Sequence, residues 1–177
     1  MEFLKIVFTC IAAAVLYGIV HDQFTARICV EYFTVFHPPI FSTESPTLLA
    51  FGWGVIATWW VGAMLGILLA IAARVGSRPK LGVGILMSSI TKLLLMMGAS
   101  AFLFGLAGYF LAKSGMIAPP GWVVSNLAPS ASAKFMADWW AHSASYATGF
   151  IGGIVLCIAQ YRRRIRIHSA SRLVEQS

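Results

Sequence analysis

The chain has little charge. Only 11% of its 177 residues are Asp, Glu, Lys or Arg, whereas 59% are hydrophobic and the mean hydropathy is +0.80. About a quarter of the residues in a soluble domain are charged. A core of this size could not bury so much apolar surface, so the composition excludes an ordinary soluble domain and indicates a membrane protein.

Paired cysteines, linkers and repeats are also lacking. The spacing of Cys10, Cys29 and Cys157 predicts neither a disulfide framework nor a cysteine-type zinc site. Proline and glycine form no low-complexity linker, and no segment repeats at a period of about 20–50 residues. The net charge of +7 lies in short clusters beside apolar runs, which is typical of membrane proteins and does not predict binding to nucleic acid.

Four apolar runs are long enough to cross a bilayer, which takes about 20 residues per helix. Because backbone polar groups must be paired within lipid, the runs predict an all-α membrane protein with a bundle of four transmembrane helices. Ser45 and Pro46 suit the N-cap and first turn of the second span. The spans are predicted at about 3–20, 47–73, 84–112 and 139–160, in a single domain of residues 1–161 followed by a basic cytoplasmic tail, 162–177.

Lysine and arginine are distributed unevenly between the loops. They cluster before the first span, after the second and after the fourth, at Lys5, Arg74, Arg78, Lys80, Arg162, Arg163, Arg164 and Arg166. The positive-inside rule therefore predicts cytoplasmic termini and external loops at 21–46 and 113–138. A cleaved signal peptide is the alternative for the first run, but its apolar stretch continues to Val20.

The basic tail allows two interpretations. The tail arginines either anchor the topology or bind anionic lipid headgroups, each charge contributing about 1 kcal/mol near the surface. Lys92 lies inside the third span, where it either extends to the inner interface or faces the bundle interior as a gate or counter-ion. A homo-oligomer is compatible with the sequence.

Ionisable groups gather at the predicted outer face. Asp138, His142 and Tyr146 are spaced four residues apart and share one stripe of the fourth helix. Imidazole and carboxylate ligands suit zinc, iron or manganese, and clustered ionisable groups at membrane depth point to function. The candidate metal ligands are His21, Glu31, His37, Asp138 and His142.

A structural interpretation of the same residues stays open. Asp22 or Glu31 could simply pair with Arg27, while the other groups cap helices or lie in wet headgroups. Residues 24–36 could be extended or helical, and we expect them to form an interfacial or re-entrant segment that Pro38 and Pro39 end. No H-E-x-x-H, H-x-x-x-H or paired C-x-x-C motif decides between the two interpretations.

Two classes of function follow. One is a membrane-embedded, metal-dependent enzyme, such as a hydrolase or oxidoreductase, acting at the outer face. The other is a non-enzymatic small transporter, channel subunit or assembly partner, with polar groups along a path through the bundle and Lys92 facing inward.

One segment suggests a wider group of proteins. The string HDQFTARICVEYFTVFHPPIF, followed by SPTLLAFGWGVIATWWVGAMLG, resembles a segment of uncharacterised bacterial four-helix membrane proteins of about this size. This resemblance covers about a third of the chain. It implies a bacterial inner-membrane location but carries over no activity and no catalytic residue.

The charge asymmetry predicts a topology that cysteine labelling can test. With the native cysteines replaced, Ser130→Cys should react with an impermeant maleimide in intact cells, because residues 113–138 are predicted to be external. Ser77→Cys should react only after the membrane is permeabilised. The reverse pattern would reject cytoplasmic termini.

Overall fold

The computed structural model describes residues 1–175, all of whose regular elements are helical. Residues 176 and 177 of the predicted tail lie outside the described part. The elements, in chain order, are α1 (Glu2–Ile28), a π-helical turn (Tyr32–Phe36), α2 (Pro46–Ile56), α3 (Trp59–Arg74), α4 (Val83–Lys113), α5 (Gly121–Val124), a 3-10 turn (Pro129–Ala131) and α6 (Ser132–Glu175).

Four helical stretches are long and apolar enough to cross a membrane, which agrees with the predicted number. They are α1, the consecutive helices α2 and α3, α4, and α6 from its first turns to Leu173. The loops 29–45 and 114–131 lie at one end of the bundle, called here the upper end. The N-terminus and residues 75–82 lie at the other, the lower end, where the Glu2 carboxylate accepts a hydrogen bond from the Val83 amide at 3.4 Å.

The first helix is longer than predicted. The prediction ended it at Val20, but α1 continues to Ile28, so His21 and Asp22 are helical residues and the loop after α1 begins later. Residues 21–28 are amphipathic: Asp22, Thr25 and Ala26 are buried, whereas Phe24 and Ile28 point outward. The apolar run therefore ends near Val20, but the helix continues beyond it.

The second predicted span is interrupted. Helix α2 ends at Ile56 and α3 begins at Trp59, and the Thr58 hydroxyl donates a hydrogen bond to the Gly54 carbonyl at 2.5 Å. Gly54 lies against α1 so closely that a Cβ there would stand 2.5 Å from the Ile19 amide nitrogen. The interruption therefore coincides with the contact between α2 and the middle of α1.

Helix α6 extends beyond both predicted ends of the fourth span, from Ser132 to Glu175, so most of the basic tail is a continuation of the helix. Arg164 is fully buried at the lower end. Its guanidinium donates to the carbonyls of Ala72, Val75, Arg78 and Pro79, which lie at the C-terminal end of α3 and in the loop after it. Arg164 thus leaves the set of arginines available to lipid headgroups, whereas Arg162, Arg163 and Arg166 are exposed.

Small residues bring α3 and α1 into close contact. A Cβ at Gly62 would lie 2.8 Å from the Cys10 carbonyl oxygen and 2.8 Å from the Ile11 Cα. Small residues spaced four apart on α6 are also buried, at Ala141, Ser145, Gly149 and Gly153. Tight backbone approach of this kind is how membrane helices gain packing energy in the absence of a strong hydrophobic drive.

The upper end has its own apolar core. Tyr32 and Phe33 of the π-helical turn pack with Trp53 of α2, Val123 of α5 and Phe135 of α6. The turn therefore lies on the first turns of α6 rather than extending away from the bundle. Lys92 of α4, by contrast, is exposed on the outside of the bundle, as expected for a lysine that extends to an interface.

Helix packing gives a matched pair of glycine substitutions. Gly62→Ala should lower the free energy of unfolding by about 1–3 kcal/mol, because its Cβ would overlap the α1 backbone. Gly98→Ala, in α4, should raise it by about 0.5–1 kcal/mol, because a Cβ there meets nothing within 4 Å and alanine favours helix. Unfolding in detergent by a denaturant series measures both, and equal effects would contradict the packing of α1 on α3.

Candidate metal centre

Three side chains from two helices meet inside the bundle. His21 and Asp22 of α1 and His142 of α6 each offer one ligand atom, and these atoms all lie within 4.8 Å of one another. His142 Nε2 is 3.2 Å from Asp22 Oδ1, and the two imidazole rings meet edge to face with centroids 4.5 Å apart. Asp22 and His142 are each 5% exposed, so the cluster is shielded from bulk solvent.

Helical periodicity explains why these residues converge. On α1, Asp22 follows Gly18 by one turn and precedes Ala26 by another, and all three are buried against neighbouring helices. On α6, His142 belongs to the buried face that includes Asp138 and Ser145. The Tyr17 hydroxyl and the Ser145 hydroxyl, 2.8 Å apart, join the two helices one turn below the cluster.

The cluster lies about two helical turns below the upper end. Asp22 is six residues before the last residue of α1, or roughly 9 Å along the helix axis. His142 is ten residues after the start of α6, or roughly 15 Å. In a chain that crosses a bilayer, this depth lies within the apolar part of the bundle, where unpaired charge is costly.

The tautomer of His142, that is, which ring nitrogen carries the proton, is the decisive feature of the cluster. His142 Nδ1 is 2.8 Å from the Asp138 main-chain carbonyl, which can only accept, so Nδ1 carries a proton. In the neutral ring Nε2 is then an acceptor, and it faces the acceptor oxygen of Asp22. Two acceptors approach to 3.2 Å only when a cation, either a proton or a metal ion, lies between them.

Further buried acceptors surround this pair. His21 Nε2 and both carboxylate oxygens of Asp138 are buried without a hydrogen-bond partner in the structure. Asp138 is 0% exposed. Buried polar atoms are normally paired, and an orphaned group in a folded protein calls for a ligand, an ion or a water molecule.

A small cavity adjoins the cluster. Its volume is about 30 Å³, and it is lined by all three cluster residues together with Tyr17, Gly18, Thr58, Ser145 and Tyr146. A space of this size holds a water molecule. Thr58 lines it at the level where α2 ends and α3 begins, so the helix interruption lies beside the site.

Aromatic rings enclose His142 from above. The Tyr32 ring stacks on the imidazole with centroids 4.5 Å apart, and the Phe33 ring lies edge to face at 5.8 Å. Burial raises the pKa of the Tyr32 hydroxyl above its ordinary range. The π-helical turn therefore supplies a neutral, water-excluding cover, in keeping with the frequent occurrence of such turns at functional sites.

Not all predicted ligands join the cluster. His21 and His142 do, but His37 lies above it, with Nδ1 2.8 Å from the Tyr32 carbonyl and its ring 4.5 Å from that of Trp53. Burial lowers the pKa of His37 below its usual value. The Tyr32 ring contacts both His37 and His142, at 5.0 and 4.5 Å between centroids, and thus stands between the two histidines.

The two predicted carboxylate ligands hold different positions. Glu31 accepts a hydrogen bond from the Cys29 thiol at 3.3 Å, on the chain segment after α1. Asp138 orients His142 through its main-chain oxygen rather than through its carboxylate, which the D-x-x-x-H spacing had suggested. Neither carboxylate belongs to the group of three metal-ligating side chains.

Asp22 is the cluster residue that the sequence interpretation did not include among the candidate ligands. The structural interpretation gave it as one of two possible partners of Arg27, but Arg27 donates to the Gln23 main-chain and side-chain oxygens and to the Thr47 hydroxyl. Extending α1 by two turns would have placed Asp22 on one face with Gly18, Thr25 and Ala26. The spacing of these small residues was the sequence feature that could have indicated the burial of Asp22.

Comparison with protein-family models, curated proteins and solved structures finds no match for this chain.

The environment of Cys29 predicts an unreactive thiol. Burial raises its pKa to about 12, the hydrogen bond to the Glu31 carboxylate adds to the shift, and the side chain is 2% exposed. In the folded protein at neutral pH, maleimide should leave Cys29 unmodified and should react with it after denaturation. A matched control is Ser42→Cys in a Cys29→Ser background, at an exposed position of the same loop. Equal labelling rates for the two would contradict the buried position of residues 29–33.

Proposed function

We propose that this chain is an integral membrane protein that binds a single divalent transition-metal ion through His21, Asp22 and His142 and acts as a metal-dependent enzyme. The observation that carries the proposal is the approach of three acceptor atoms within 4.8 Å at a buried position. A metal ion there would satisfy His21 Nε2 and the facing acceptors of Asp22 and His142 together.

The ligand set suits a catalytic rather than a closed structural site. Two imidazoles and one carboxylate are three protein ligands, a set that leaves coordination positions open in zinc and non-haem iron enzymes. The adjoining cavity of about 30 Å³ provides space for water or a substrate oxygen at those positions. When bound, the metal would supply a Lewis acid and a water activated near neutral pH.

The surrounding residues would tune this centre. The hydrogen bond from His142 Nδ1 to the Asp138 carbonyl sets the tautomer that presents Nε2 to the metal, as is usual for histidine ligands. Thr58 and Tyr146 also line the cavity, and their hydroxyl groups could orient a bound water or substrate. The choice among zinc, iron and manganese depends on metal supply as well as on these ligands.

The proposed location follows from the same chain features. The four long apolar helices and the clustering of lysine and arginine at the lower end support a bacterial inner-membrane protein with cytoplasmic termini. The metal centre then lies in the outer half of the bundle. Exposed Arg162, Arg163 and Arg166 remain available for anionic headgroups.

The transporter or channel alternative has less support. It required Lys92 to face the interior, but this side chain is exposed. Below the site, the helices meet around a cavity of about 70 Å³ with an apolar wall, which includes Leu65, Leu93, Met97 and Leu156. This apolar region lies between the metal centre and the lower end, where a transporter or channel would need a continuous polar path.

The metal content of single-residue variants distinguishes the proposed metal ligands from the neighbouring side chains. Purified protein should contain a single zinc, iron or manganese ion per chain by elemental mass spectrometry. His21→Gln, Asp22→Asn and His142→Gln should each lower the metal content at least tenfold, because each removes a ligand from a three-ligand site.

His37→Gln is the matched control, because His37 belongs to the same segment but bonds to the Tyr32 carbonyl. It should retain the metal. Metal content that is absent from the unaltered protein after reconstitution with all three ions, or that depends on His37 and not on His142, would contradict the proposal.

A further inference from the structure

A lateral groove leads from the outside of the bundle to the metal-ligand cluster. It runs between α1 and α4 with α6 as its floor, and it has a volume of about 550 Å³. Binding sites for small molecules range from about 300 to 1,000 Å³, so the groove is large enough for a ring-sized ligand. In a membrane-spanning bundle it opens sideways to lipid, so its occupant must be soluble in the membrane.

Two ionisable side chains other than tyrosine lie in a wall that is mostly apolar and aromatic. His21 and Asp138 line the groove, and His21 also lines the small cavity at the cluster, so the two spaces share this residue. Asp138 is 0% exposed, and both of its carboxylate oxygens lack a partner. Because His21 is a proposed metal ligand, the Asp138 carboxylate is the unpaired acceptor of the groove lining, and a ligand reaches this buried group only by displacing the side chains around it.

The aromatic side chains in the wall of the groove favour a ligand with a planar ring. Tyr17 and Phe24 of α1 and Phe102 and Tyr109 of α4 all line the groove. Aromatic side chains pack favourably against another planar ring. A flexible acyl chain would fill the apolar space but would leave the Asp138 oxygens unpaired, at a cost typical of buried polar groups.

We propose that the groove binds a lipid-soluble quinol, with its ring between the aromatic side chains and a hydroxyl donating to the Asp138 carboxylate. The hydroxyl would then lie beside His21 and the metal centre. The role of the quinol as substrate of that centre rests on the proposed function, whereas its binding in the groove does not.

Ligand retention in nanodiscs tests the inference. The full-length protein is incubated with decylubiquinol under argon, and retained quinol is extracted and counted against empty nanodiscs. The dimethyl ether of the quinol keeps the ring and tail but lacks the donors, so it should bind roughly ten- to a hundredfold more weakly, the difference expected when a buried polar group is left unpaired.

Two substitutions locate the binding. Gly98→Leu should lower quinol affinity at least tenfold, because Gly98 lines the groove and a side chain there meets open space. Gly84→Leu is the matched control in the same helix, where a Cβ also meets nothing within 4 Å, and should leave binding unchanged. Asp138→Leu should abolish the preference for quinol over its ether while removing an unpaired buried carboxylate, so the fold should persist.

Equal retention of quinol and ether by the unaltered protein, or binding unaffected by Gly98→Leu, would overturn the inference and indicate a groove filled by lipid tails. Metal content is measured on the same samples. Metal retained without quinol preference defeats the quinol assignment alone, whereas quinol preference without metal defeats the proposed metal enzyme alone.

Discussion

The close approach of His142 and Asp22 is the constraint on which the rest of the site depends. The Asp138 carbonyl holds the proton of the imidazole on Nδ1, so Nε2 and the aspartate oxygen face each other as acceptors at 3.2 Å. A proton or a metal ion between them would link α1 to α6 within the apolar bundle. Removing one partner would leave the other buried and unpaired, which destabilises a fold more than replacing both partners by apolar residues.

Several otherwise separate features of the fold serve this contact. The close approach of α2 to α1 at Gly54 and Ile19 coincides with the interruption that brings Thr58 to the cavity. The π-helical turn places the Tyr32 ring on His142 and so seals the site from the upper end. At the lower end, Arg164 joins α6 to the end of α3 through main-chain carbonyls. Together these contacts hold α6 and α1 in fixed register.

Much of the architecture could be predicted from the sequence because lipid imposes a simple rule. Long apolar runs must be helical, so the four spans were evident. Helix ends were harder to predict. Hydropathy shows where an apolar run ends, whereas a helix can continue beyond that point as long as one of its faces remains buried. The errors at Val20 and after Gln160 have this origin, whereas at Ala57 and Thr58 the helix is interrupted within a continuous apolar run.

The site was predictable only in part. The spacing of Asp138 and His142 marked the right stripe of α6, and His21 was among the candidate ligands. Asp22 was missed because its burial depends on α1 extending past the oily run, and His37 was included because the interposed Tyr32 ring is a tertiary feature. The central claim is that His21, Asp22 and His142 share one ion, and X-ray absorption at the metal edge of the loaded protein tests it most directly. The account predicts outer-shell scattering from two imidazoles and nitrogen or oxygen ligands at about 2.0–2.2 Å. A spectrum without imidazole scattering, or with sulfur at about 2.3 Å, would contradict it.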